Sequence, residues 1–517
     1  MFEKHQISSR MEEDTETQKR NPTSEYTFED AFEKTGHGKI NHLVLFTSGL
    51  IMLNVSMESV GMSYAITAAE CELHLNSQQK GLVNAAAFIG IISTSFLWGY
   101  LVDRLGRRAV MLPAIVVSAI FSIISSFSSN VWMLILFRFL TGCSVSASSA
   151  TVYAYLGEMH TNSKRASAIA WGSAFISFSF ITLPGLAWII IPGKWSFTLG
   201  YMEIVPWRAF VCLWCIPGLT SAIILLFLPE SPRFLLVAKG PEAALPVLAK
   251  MYKWNYGGSA DDFPVKKIRS GGEEVKKAGF AGAIKNVSVM FKGPLLKCVI
   301  ISHVSMFTIF MLSSGLYVWV PDILNSILKS GFNQKISICQ IIEDKFLNAT
   351  LSPQKTCEAE VSIAMFPISM SMGAVFAFTY LAIGFLINKL GRKTMYCGVM
   401  FICGVALVGA AFVPEGVAAT ALLIVSLCSG CAASILAAIA VDVFPTSLRA
   451  MAMCVMYMVG RAGAAVGSYL LGATLDLHCL EAFTALGIFT SGSTILMMFW
   501  PNPEKVRKQM EDKGFSY

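Results

Sequence analysis

The feature that most constrains this chain is a series of long apolar segments that recurs from one end to the other. Of its 517 residues, 54% are hydrophobic and only 14% are charged, whereas a soluble protein carries about 25% charged residues. A membrane-spanning helix needs roughly 20 predominantly apolar residues. By that measure the sequence holds twelve candidate spans, near residues 42–66, 81–102, 109–128, 131–156, 166–191, 207–228, 297–320, 361–387, 394–413, 417–441, 450–473 and 481–500.

Segments of this length predict helices. Backbone polar groups cannot be left unsatisfied in lipid, which restricts spanning structures to helices and closed barrels, and barrel strands are only about 10 residues long. We therefore predict an all-α membrane protein with twelve transmembrane helices. The predicted order is an N-terminal tail (1–40), a first six-helix bundle (41–228), a linker (229–296), a second six-helix bundle (297–500) and a C-terminal tail (501–517). The linker is expected to be solvated or to contact lipid headgroups, with a short surface helix over residues 241–253.

Two charged motifs occur once in each bundle. The turn GYLVDRLGRR (99–108) returns in weaker form, 285 residues later, as GFLINKLGRK (384–393). The second repeat has an offset of 284 residues and matches Glu158 and Arg165 to Asp442 and Arg449. Two motifs with nearly the same offset predict two parallel, pseudo-symmetric halves related by an axis along the membrane normal.

The distribution of Lys and Arg predicts the orientation. Basic residues cluster in the linker and in the turns between spans 2 and 3, 4 and 5, 8 and 9, and 10 and 11, whereas turns on the opposite side carry few. By the positive-inside rule the basic side is cytoplasmic, and so are both termini. The net charge of +7 then reflects topology and does not indicate a nucleic-acid partner. The plasma membrane and an intracellular vesicle membrane are both compatible locations.

The repeated turn is similar to the loop 2–3 and loop 8–9 signatures of the major facilitator superfamily. RFLTG (138–142) resembles its span-4 signature, and PESPR (229–233) resembles the segment after its sixth span. More narrowly, VWVPD (318–322) resembles synaptic vesicle glycoprotein 2 and its invertebrate relatives, with organic ion transporters as the next nearest group. The resemblance implies two six-helix bundles and secondary active transport by alternating access.

The resemblance also implies a cytoplasmic gate. Asp103 would meet the start of span 11, whose N-terminus carries partial positive charge. Arg107 and Arg108 would reach Glu158, and Arg165 would reach Glu230. Such a network would latch the two bundles together, whereas the alternative is that these charges only fix topology. The gate candidates are Asp103, Arg107, Arg108, Glu158, Arg165, Glu230, Arg392, Asp442 and Arg449.

Four ionisable residues lie well inside predicted spans, namely Glu58, Arg138, His303 and Arg461. A charge at a helix centre costs at least about 2.5 kcal/mol on insertion scales, so it usually faces a polar interior. Arg461 lies near mid-membrane, where transporters bind substrates, and is our main candidate for a cavity charge. The alternative is a structural partner for Glu58 or for a backbone carbonyl. Tyr457, one turn earlier, shares the helix face of Arg461.

The other candidates each have two interpretations. Glu58 is a candidate partner for a cation, a proton or Arg461. Arg138 has either a structural or coupling role in span 4 or a contact with substrate. His303 titrates near neutral pH, but a lone histidine on an apolar helix is more often a packing residue. Trp319 either belongs to the interfacial aromatic belt or, as the resemblance implies, caps the cavity from span 7.

The loop 321–360 is predicted on the side opposite the cytoplasm. It holds the glycosylation sequon Asn348-Ala-Thr350, and Cys339 and Cys357 share the loop and are candidates for a disulfide. Two C-x-x-C pairs lie inside apolar runs without a second pair of ligands, so they indicate packing rather than a metal site. No phosphate-binding glycine loop or hydrolase motif is apparent, so we expect neither a cofactor nor enzymatic activity.

These patterns predict a secondary active transporter of a small polar or ionic organic solute, embedded in the lipid bilayer, with a proton coupled through Glu58 as one option. Sugar and organic-ion carriage both stay open. The alternative is a non-transporting membrane protein that binds partners as a scaffold. Val55 and Asn388 favour that alternative, because the resembled proteins tend to carry Asp at these two positions.

Overall fold

The computed structural model of the chain describes residues 26–199, 202–269, 290–291, 293, 295–331, 336–351 and 361–512. Eleven helical stretches in this part are long and apolar enough to cross a membrane. The last, Thr446–Met498, has 53 residues and a single non-helical residue, His478. At 1.5 Å per residue it would be about 80 Å long, more than twice the roughly 30 Å of a bilayer core. It therefore contains two spans, and the predicted twelve-helix fold is confirmed.

We number the spans in chain order. They are span 1 (Lys39–Val60, continued by Met62–Ala69), span 2 (Ser77–Leu105), span 3 (Arg107–Ser126), span 4 (Val131–Glu158), span 5 (Asn162–Ile190), span 6 (Pro206–Leu213 and Ile216–Phe227), span 7 (Leu295–Tyr317), span 8 (Met365–Leu390), span 9 (Arg392–Phe412), span 10 (Gly416–Leu427, Cys428–Cys431 and Ala432–Val441), and spans 11 and 12 (Thr446–Met498, before and after His478).

Shorter elements lie outside the spans. They are α1 (Phe28–Lys34), α2 (Pro232–Lys239), α3 (Pro241–Tyr256), a 3₁₀ turn (Ala260–Asp262), α4 (Val320–Ser330), α5 (Ile338–Leu351), α6 (Pro503–Glu511), and the antiparallel strands β1 (Phe197–Leu199) and β2 (Met202–Ile204). We call the end of the bundle that carries α2 and α3 the linker end, and the end that carries α4 and α5 the loop end.

The repeated glycine of the charged turn has a conformational role. Span 2 passes into span 3 through the single residue Gly106, and span 8 passes into span 9 through Gly391. Their φ angles are +109° and +79°, a region that L side chains rarely adopt and that glycine adopts freely. The motif therefore produces a one-residue reversal between two membrane helices, once in each bundle.

The linker helices pack against the first bundle. The predicted surface helix is present as α3 and extends to Tyr256. Its residues Leu248 and Met251 are fully buried in a cluster with Phe32 of α1 and with residues of spans 1, 3 and 4. A purely solvated linker is therefore wrong for the described residues 229–269, because this segment buries an apolar face.

The two bundles meet mainly through spans 2 and 11 and through spans 5 and 8. Gly81 and Gly472 allow the first contact, since a Cβ on Gly472 would lie 3.0 Å from the Cα of Gly81. Small residues permit such close helix packing in membranes. The hydrogen bonds between bundles in the described chain lie at the loop end or at mid-depth: Tyr64–Tyr317, Ser77–Asp476, Lys80–Asp322, Ser468–Gly81 and Arg461–Ser149.

Candidate substrate site and gates

A buried ion pair occupies the core of the first bundle. Glu58 of span 1 and Arg138 of span 4 are 2% and 0% exposed, and Nη1 of Arg138 lies 3.2 Å from Oε2 of Glu58. Ser122 of span 3 donates to the same oxygen at 2.9 Å, and the Cys215 thiol of span 6 donates to Oε1 at 3.5 Å. Four spans therefore converge on one carboxylate.

The guanidinium of Arg138 is also enclosed. Its Nη2 donates to the hydroxyl of Ser122 at 2.7 Å, and its Cζ lies 5.4 Å from the ring centroid of Trp214. These contacts satisfy Glu58 within its own bundle, so the option that Glu58 pairs with Arg461 is wrong. The geometry supports the structural interpretation of Arg138, which holds spans 1, 3, 4 and 6 together.

Arg461 has a different setting. It lies fifteen residues after the start of span 11 and seventeen before His478, which places it near the middle of the bilayer. Its Nη2 donates to Oγ of Ser149 in span 4 at 3.2 Å. The side chain therefore crosses from the second bundle to the first, at the depth where transporters bind their substrates.

Two tyrosines lie beside this guanidinium, and a third lies beside them. Tyr153 of span 4 and Tyr457 of span 11 lie close enough to Arg461 to interact with it electrostatically, and Tyr380 of span 8 interacts with both tyrosines. Tyr153 and Tyr380 are 37% and 41% exposed, so they do not belong to the packed core. Tyr457 was found from the sequence, whereas Tyr153, Tyr380 and Ser149 were missed, because helical periodicity does not distinguish a cavity-facing side chain from a lipid-facing one.

No carboxylate balances Arg461 within the described part of the chain. None of the ion pairs found there includes it. Its electrostatic neighbours are Cys454, Tyr153 and Tyr457, whose side chains are neutral near pH 7. A guanidinium at mid-membrane is costly, and this one has polar but uncharged surroundings. The site is therefore suited to an anionic ligand.

A cluster of ion pairs joins the bundles at the loop end. Lys80, at the start of span 2, is 3% exposed, and its Nζ lies 2.9 Å from Glu70 and 3.3 Å from Asp322 of α4. Lys345 of α5 lies 3.3 Å from the second oxygen of Asp322. Burial raises the pKa of Asp322, but the two lysines outweigh burial and hold that pKa well below its usual range. The charged forms are therefore the stable ones, and the cluster closes this end.

The loop-end cluster was not predicted. Lys80 and Asp322 are 242 residues apart in sequence, and neither lies in a motif that indicates the other. The cluster lines a cavity of about 200 Å³ together with Asp476 and Trp319. The pattern VWVPD was used only for the family resemblance, although its final Asp is the residue that contacts the first bundle.

Aromatic side chains close the same end. Trp319 is 2% exposed, and its Nε1 donates to the carbonyl of Ser468 at 3.0 Å. The hydroxyls of Tyr64 and Tyr317 lie 3.3 Å apart across the bundle interface, and the ring of Phe180 packs edge-on against Tyr317 at 5.0 Å. Trp319 thus lies inside the closed interface. This position supports the interpretation that Trp319 caps the cavity, and it argues against a place in the lipid-facing aromatic belt.

The repeated turns lie at the linker end, each within its own bundle. In the first, Nε of Arg107 lies 3.0 Å from Glu158, and its Nη2 lies 3.3 Å from Asp103. In the second, Arg392 pairs with Asp442. The sequence repeat is therefore also a repeat of ion-pair geometry. These pairs do not join the two bundles, so in this conformation they do not form the expected latch.

The predicted contact between Arg108 and Glu158 is wrong. The guanidinium of Arg108 donates instead to the carbonyls of Leu225 and Leu226 at 2.9 and 2.8 Å, near the end of span 6. The last carbonyls of a helix lack intrahelical donors, and a cation at that end is favourable. Arg108 therefore caps span 6, while its neighbour Arg107 contacts the acid.

The predicted contact between Arg165 and Glu230 is also wrong. Glu230 accepts the backbone N–H groups of Arg107, Arg108 and Ala109 at 3.0–3.2 Å. Those N–H groups open span 3, where orphan donors and the helix dipole favour a carboxylate. Arg165 donates to the carbonyl of Gly157 at 3.1 Å.

Asp103 lies near the junction of the bundles, opposite span 11. The Asp103 side chain is 76% exposed and lies close enough to Cys454 of span 11 to interact electrostatically. This agrees with the implied contact between Asp103 and the start of span 11. Arg449, in the first turn of span 11, takes part in none of the ion pairs of the described residues.

The predicted disulfide within the loop is wrong. Cys339 of α5 is bonded to Cys479, next to the break between spans 11 and 12, with the two Cα atoms 5.3 Å apart. Cys357 lies outside the described residues. Proximity in sequence favoured a local bond, but α5 packs across the loop end of the last two spans. Cys71 is also disulfide-bonded.

Two candidates remain, Asn348 and His303. Asn348 lies near the end of α5, and its side chain lies outside the described part. His303 is 7% exposed in span 7, and its Nδ1 lies 2.7 Å from the carbonyl of Val299. That contact is typical of the packing role that we consider more common for a lone helical histidine.

A family model described as the Major Facilitator Superfamily matches residues 44–342 and 336–514. The chain belongs to the Major Facilitator Superfamily. Solved structures of the superfamily agree on the fold. The partially occluded inward-open xylose transporter XylE from E. coli gives a TM-score of 0.63 at 16% identity, over 90% of this chain and 99% of that chain. A bacterial homologue of the human lysosomal transporter Spinster gives 0.60 at 14% identity, over 90% and 96%.

Curated relatives within the superfamily narrow the resemblance. Synaptic vesicle glycoprotein 2B of Mus musculus is 26% identical over 337 residues, which cover 60% of this chain and 49% of the relative. Synaptic vesicle glycoprotein 2A of Rattus norvegicus is 30% identical over 244 residues, which cover 46% and 33%. The predicted resemblance is confirmed, and the matched regions span about half of synaptic vesicle glycoprotein 2B and one third of synaptic vesicle glycoprotein 2A.

Proposed function

We propose that this protein is a secondary transporter that carries a small organic anion by alternating access. One observation carries the proposal: Arg461 lies at mid-depth between the bundles, with no carboxylate counterion in the described part of the chain. A polar or ionic solute was expected from the sequence, and the uncharged surroundings of Arg461 favour an anionic one.

The chemistry around Arg461 fits a carboxylate, sulfonate or phosphate. A guanidinium presents paired N–H donors that match two oxygens of such a group. The hydroxyls of Tyr153 and Tyr457 are additional donors, and the three tyrosine rings offer apolar surface to the body of the solute. An anion would supply the charge that Arg461 lacks, so binding would be strongest for a solute with one accessible negative group.

Alternating access requires the loop end to open. In this structure the bundles are joined there by Lys80 and Asp322, by Tyr64 and Tyr317, and by the packing around Trp319. Opening that end would break these contacts and close the linker end, where Asp103 already lies beside span 11. We assign no proton coupling to Glu58, because Arg138 and Ser122 engage its carboxylate.

The orientation proposed from the basic loops agrees with the cysteine chemistry. Disulfides persist in oxidising compartments and are rare in the cytosol, and the Cys339–Cys479 bond lies at the loop end. We place the loop end outside the cell or in a vesicle lumen and the linker end in the cytosol. Asn348 then lies on the glycosylated side.

Reconstitution in liposomes tests the proposal. Proteoliposomes that contain the purified protein are loaded with one member of a matched set: a carboxylate, its neutral amide or its amine. Counterflow of the same compound in labelled form is then measured for each. We expect saturable counterflow of the anion alone. Preference for the amide or the amine would contradict the anionic substrate, and no counterflow of any of the three would favour the scaffold alternative. The variant Arg461→Gln separates carrier-mediated flux from leak.

A further inference from the structure

The first bundle carries another polar cavity, at the linker end. It measures about 280 Å³ and lies between the start of span 1 and the start of span 5. Its wall includes three histidines and one lysine, namely His37, His42, His160 and Lys164. Neither the repeated turns nor the Glu58–Arg138 pair contributes to it. Four basic groups therefore face one small volume that the proposed transport cycle does not use.

These basic groups lie close to one another. The ring centroids of His37 and His42 are 5.2 Å apart, and those of His37 and His160 are 5.5 Å apart. Partial burial, then His42 and Lys164, lowers the pKa of His37. Burial also lowers the pKa of His160 to about 4, with a smaller contribution from the other two histidines. The lining residues, all within the described chain, include no Asp or Glu, so the wall itself offers no neutralising charge.

One polar atom on the wall is unsatisfied. His160 is fully buried, and its Nδ1 lies 2.8 Å from the carbonyl of Leu156, which fixes the proton on Nδ1 in the neutral ring. Its Nε2 is buried without a hydrogen-bond partner. Leaving a buried polar atom unpaired costs about 1–3 kcal/mol. Because this atom is not exposed to the cavity, the ring must tilt before a ligand hydroxyl can reach it.

A metal ion does not explain this cluster. Among the residues that the structure describes, no group of three His, Cys, Asp or Glu side chains is arranged to hold a metal. Lys164 adds a fixed positive charge to the same wall, which would repel a cation. The chemistry of the wall, several donors and no acid, suits an oxyanion.

The cavity borders an exposed face of span 5. Lys164, Trp171, Phe178 and Ile189 are spaced by seven, seven and eleven residues, which places them on one face of span 5. The three apolar members are 66%, 51% and 81% exposed, as expected for side chains in contact with acyl chains. Lys164 lies at the linker end of this stripe, at the level of the headgroups, where long basic side chains reach the interface.

We infer that this cavity binds the phosphate group of a membrane lipid. Lys164 and the ring N–H groups of His37 and His42 donate to the phosphate oxygens, a hydroxyl of the headgroup or glycerol donates to Nε2 of His160, and Trp171 contacts the lipid body. The phosphate pairs with the fixed positive charge of Lys164, for which the wall offers no acidic partner. This inference is independent of the proposed substrate, because it involves neither Arg461 nor its tyrosines.

Short-chain probes test the inference on the detergent-purified full-length protein. Binding is followed by the shift in melting temperature with dioctanoyl phosphatidic acid, dioctanoylglycerol or inorganic phosphate. We expect stabilisation by phosphatidic acid, none by dioctanoylglycerol, and weaker binding of inorganic phosphate. The double variant His37→Gln/Lys164→Gln should bind phosphatidic acid at least about tenfold more weakly, as expected for the loss of charge-assisted hydrogen bonds.

The design includes a matched control. Both substituted side chains are exposed, so the double variant should fold. Lys239→Gln removes an exposed lysine of α2 at the same end of the protein and should leave the affinity unchanged. Equal stabilisation by dioctanoylglycerol, or wild-type affinity in the double variant, would overturn the phosphate site. Equal affinity for inorganic phosphate and phosphatidic acid would overturn the assignment to a lipid.

Discussion

Arg138 and Arg461 are two arginines inside membrane spans, and their surroundings differ in one respect. Arg138 has a carboxylate at 3.2 Å and the hydroxyl of Ser122 at 2.7 Å, all within the first bundle. Arg461 reaches across the bundle interface to a single hydroxyl, that of Ser149, and has tyrosines rather than an acid around it.

The difference teaches how to separate a structural charge from a functional one in a membrane protein. Placing either guanidinium group in the bilayer costs free energy. For Arg138 the protein supplies the counterion, so the charge links four spans of one rigid bundle. For Arg461 it supplies only neutral polar groups, at the junction of two bundles that move against each other in the proposed transport cycle. We therefore interpret the first as part of the scaffold and the second as part of the substrate site.

The largest effect should come from breaking the paired arginine. Arg138→Gln leaves Glu58 buried without its counterion, which costs about 3–5 kcal/mol of folding stability. The melting temperature in mild detergent should fall accordingly. The double variant Glu58→Leu/Arg138→Met removes both charges and should recover most of the loss. A single variant that melts at the wild-type temperature would remove the distinction between the two arginines.

The unpaired arginine should show the opposite behaviour. Arg461→Gln should lower anion uptake into proteoliposomes by about 30-fold or more, as expected for truncating one partner of a desolvated charge pair. The melting temperature should change little, because only the hydrogen bond to Ser149 is lost. Arg461→Lys keeps the charge but not the planar fork and should retain part of the activity. A large loss of stability in Arg461→Gln would instead assign this residue to the scaffold.

A weaker effect is expected at the loop-end cluster. Lys80→Met removes the buried cation that joins Glu70 to Asp322, and amide hydrogen exchange in α4 should become about tenfold faster, which corresponds to about 1.4 kcal/mol. Lys345→Met is the matched control. Lys345 contacts the same Asp322 but is 45% exposed, so solvent screening should make its effect smaller. Equal exchange rates in the two variants would contradict a larger contribution from the buried Lys80 than from the exposed Lys345.

The smallest effects should separate the two copies of the charged turn. Arg392 and Asp442 are 47% and 43% exposed, so Arg392→Gln should cost at most about 1 kcal/mol. Arg107 and Glu158 are only 14% and 20% exposed, so Arg107→Gln should cost more, about 1.5–3 kcal/mol. Chemical denaturation of the two variants provides the comparison. Equal costs would mean that the halves are more symmetric in energy than their exposure indicates.

The fold was largely predictable because it depends on local properties. Segment length and polarity indicated twelve spans, and the repeated turn indicated two halves. The structure gives the reason for the repeat, because the glycine of each turn has a positive φ at the same place in its half. Depth along a helix was also predictable, so Arg461 could be placed near mid-membrane and Tyr457 on the same helix face. Each of these properties is carried by neighbouring residues.

Contacts between distant segments were not predictable. Lys80 and Asp322 are 242 residues apart, and Cys339 and Cys479 are 140 residues apart. Arg461 was considered as a partner of Glu58 and Arg138 was not, because sequence gives the depth of a charge but not the direction in which its helix faces. Only the packing of spans 1, 3, 4 and 6 decides that question.

The most direct test of the central claim is the melting temperature of purified protein with an isosteric pair, a carboxylate that shows counterflow and its carboxamide. We predict that the carboxylate stabilises the wild-type protein, that the carboxamide does not, and that Arg461→Gln abolishes the difference. Equal stabilisation by the two compounds, or a difference that persists in Arg461→Gln, would contradict an anion site at Arg461.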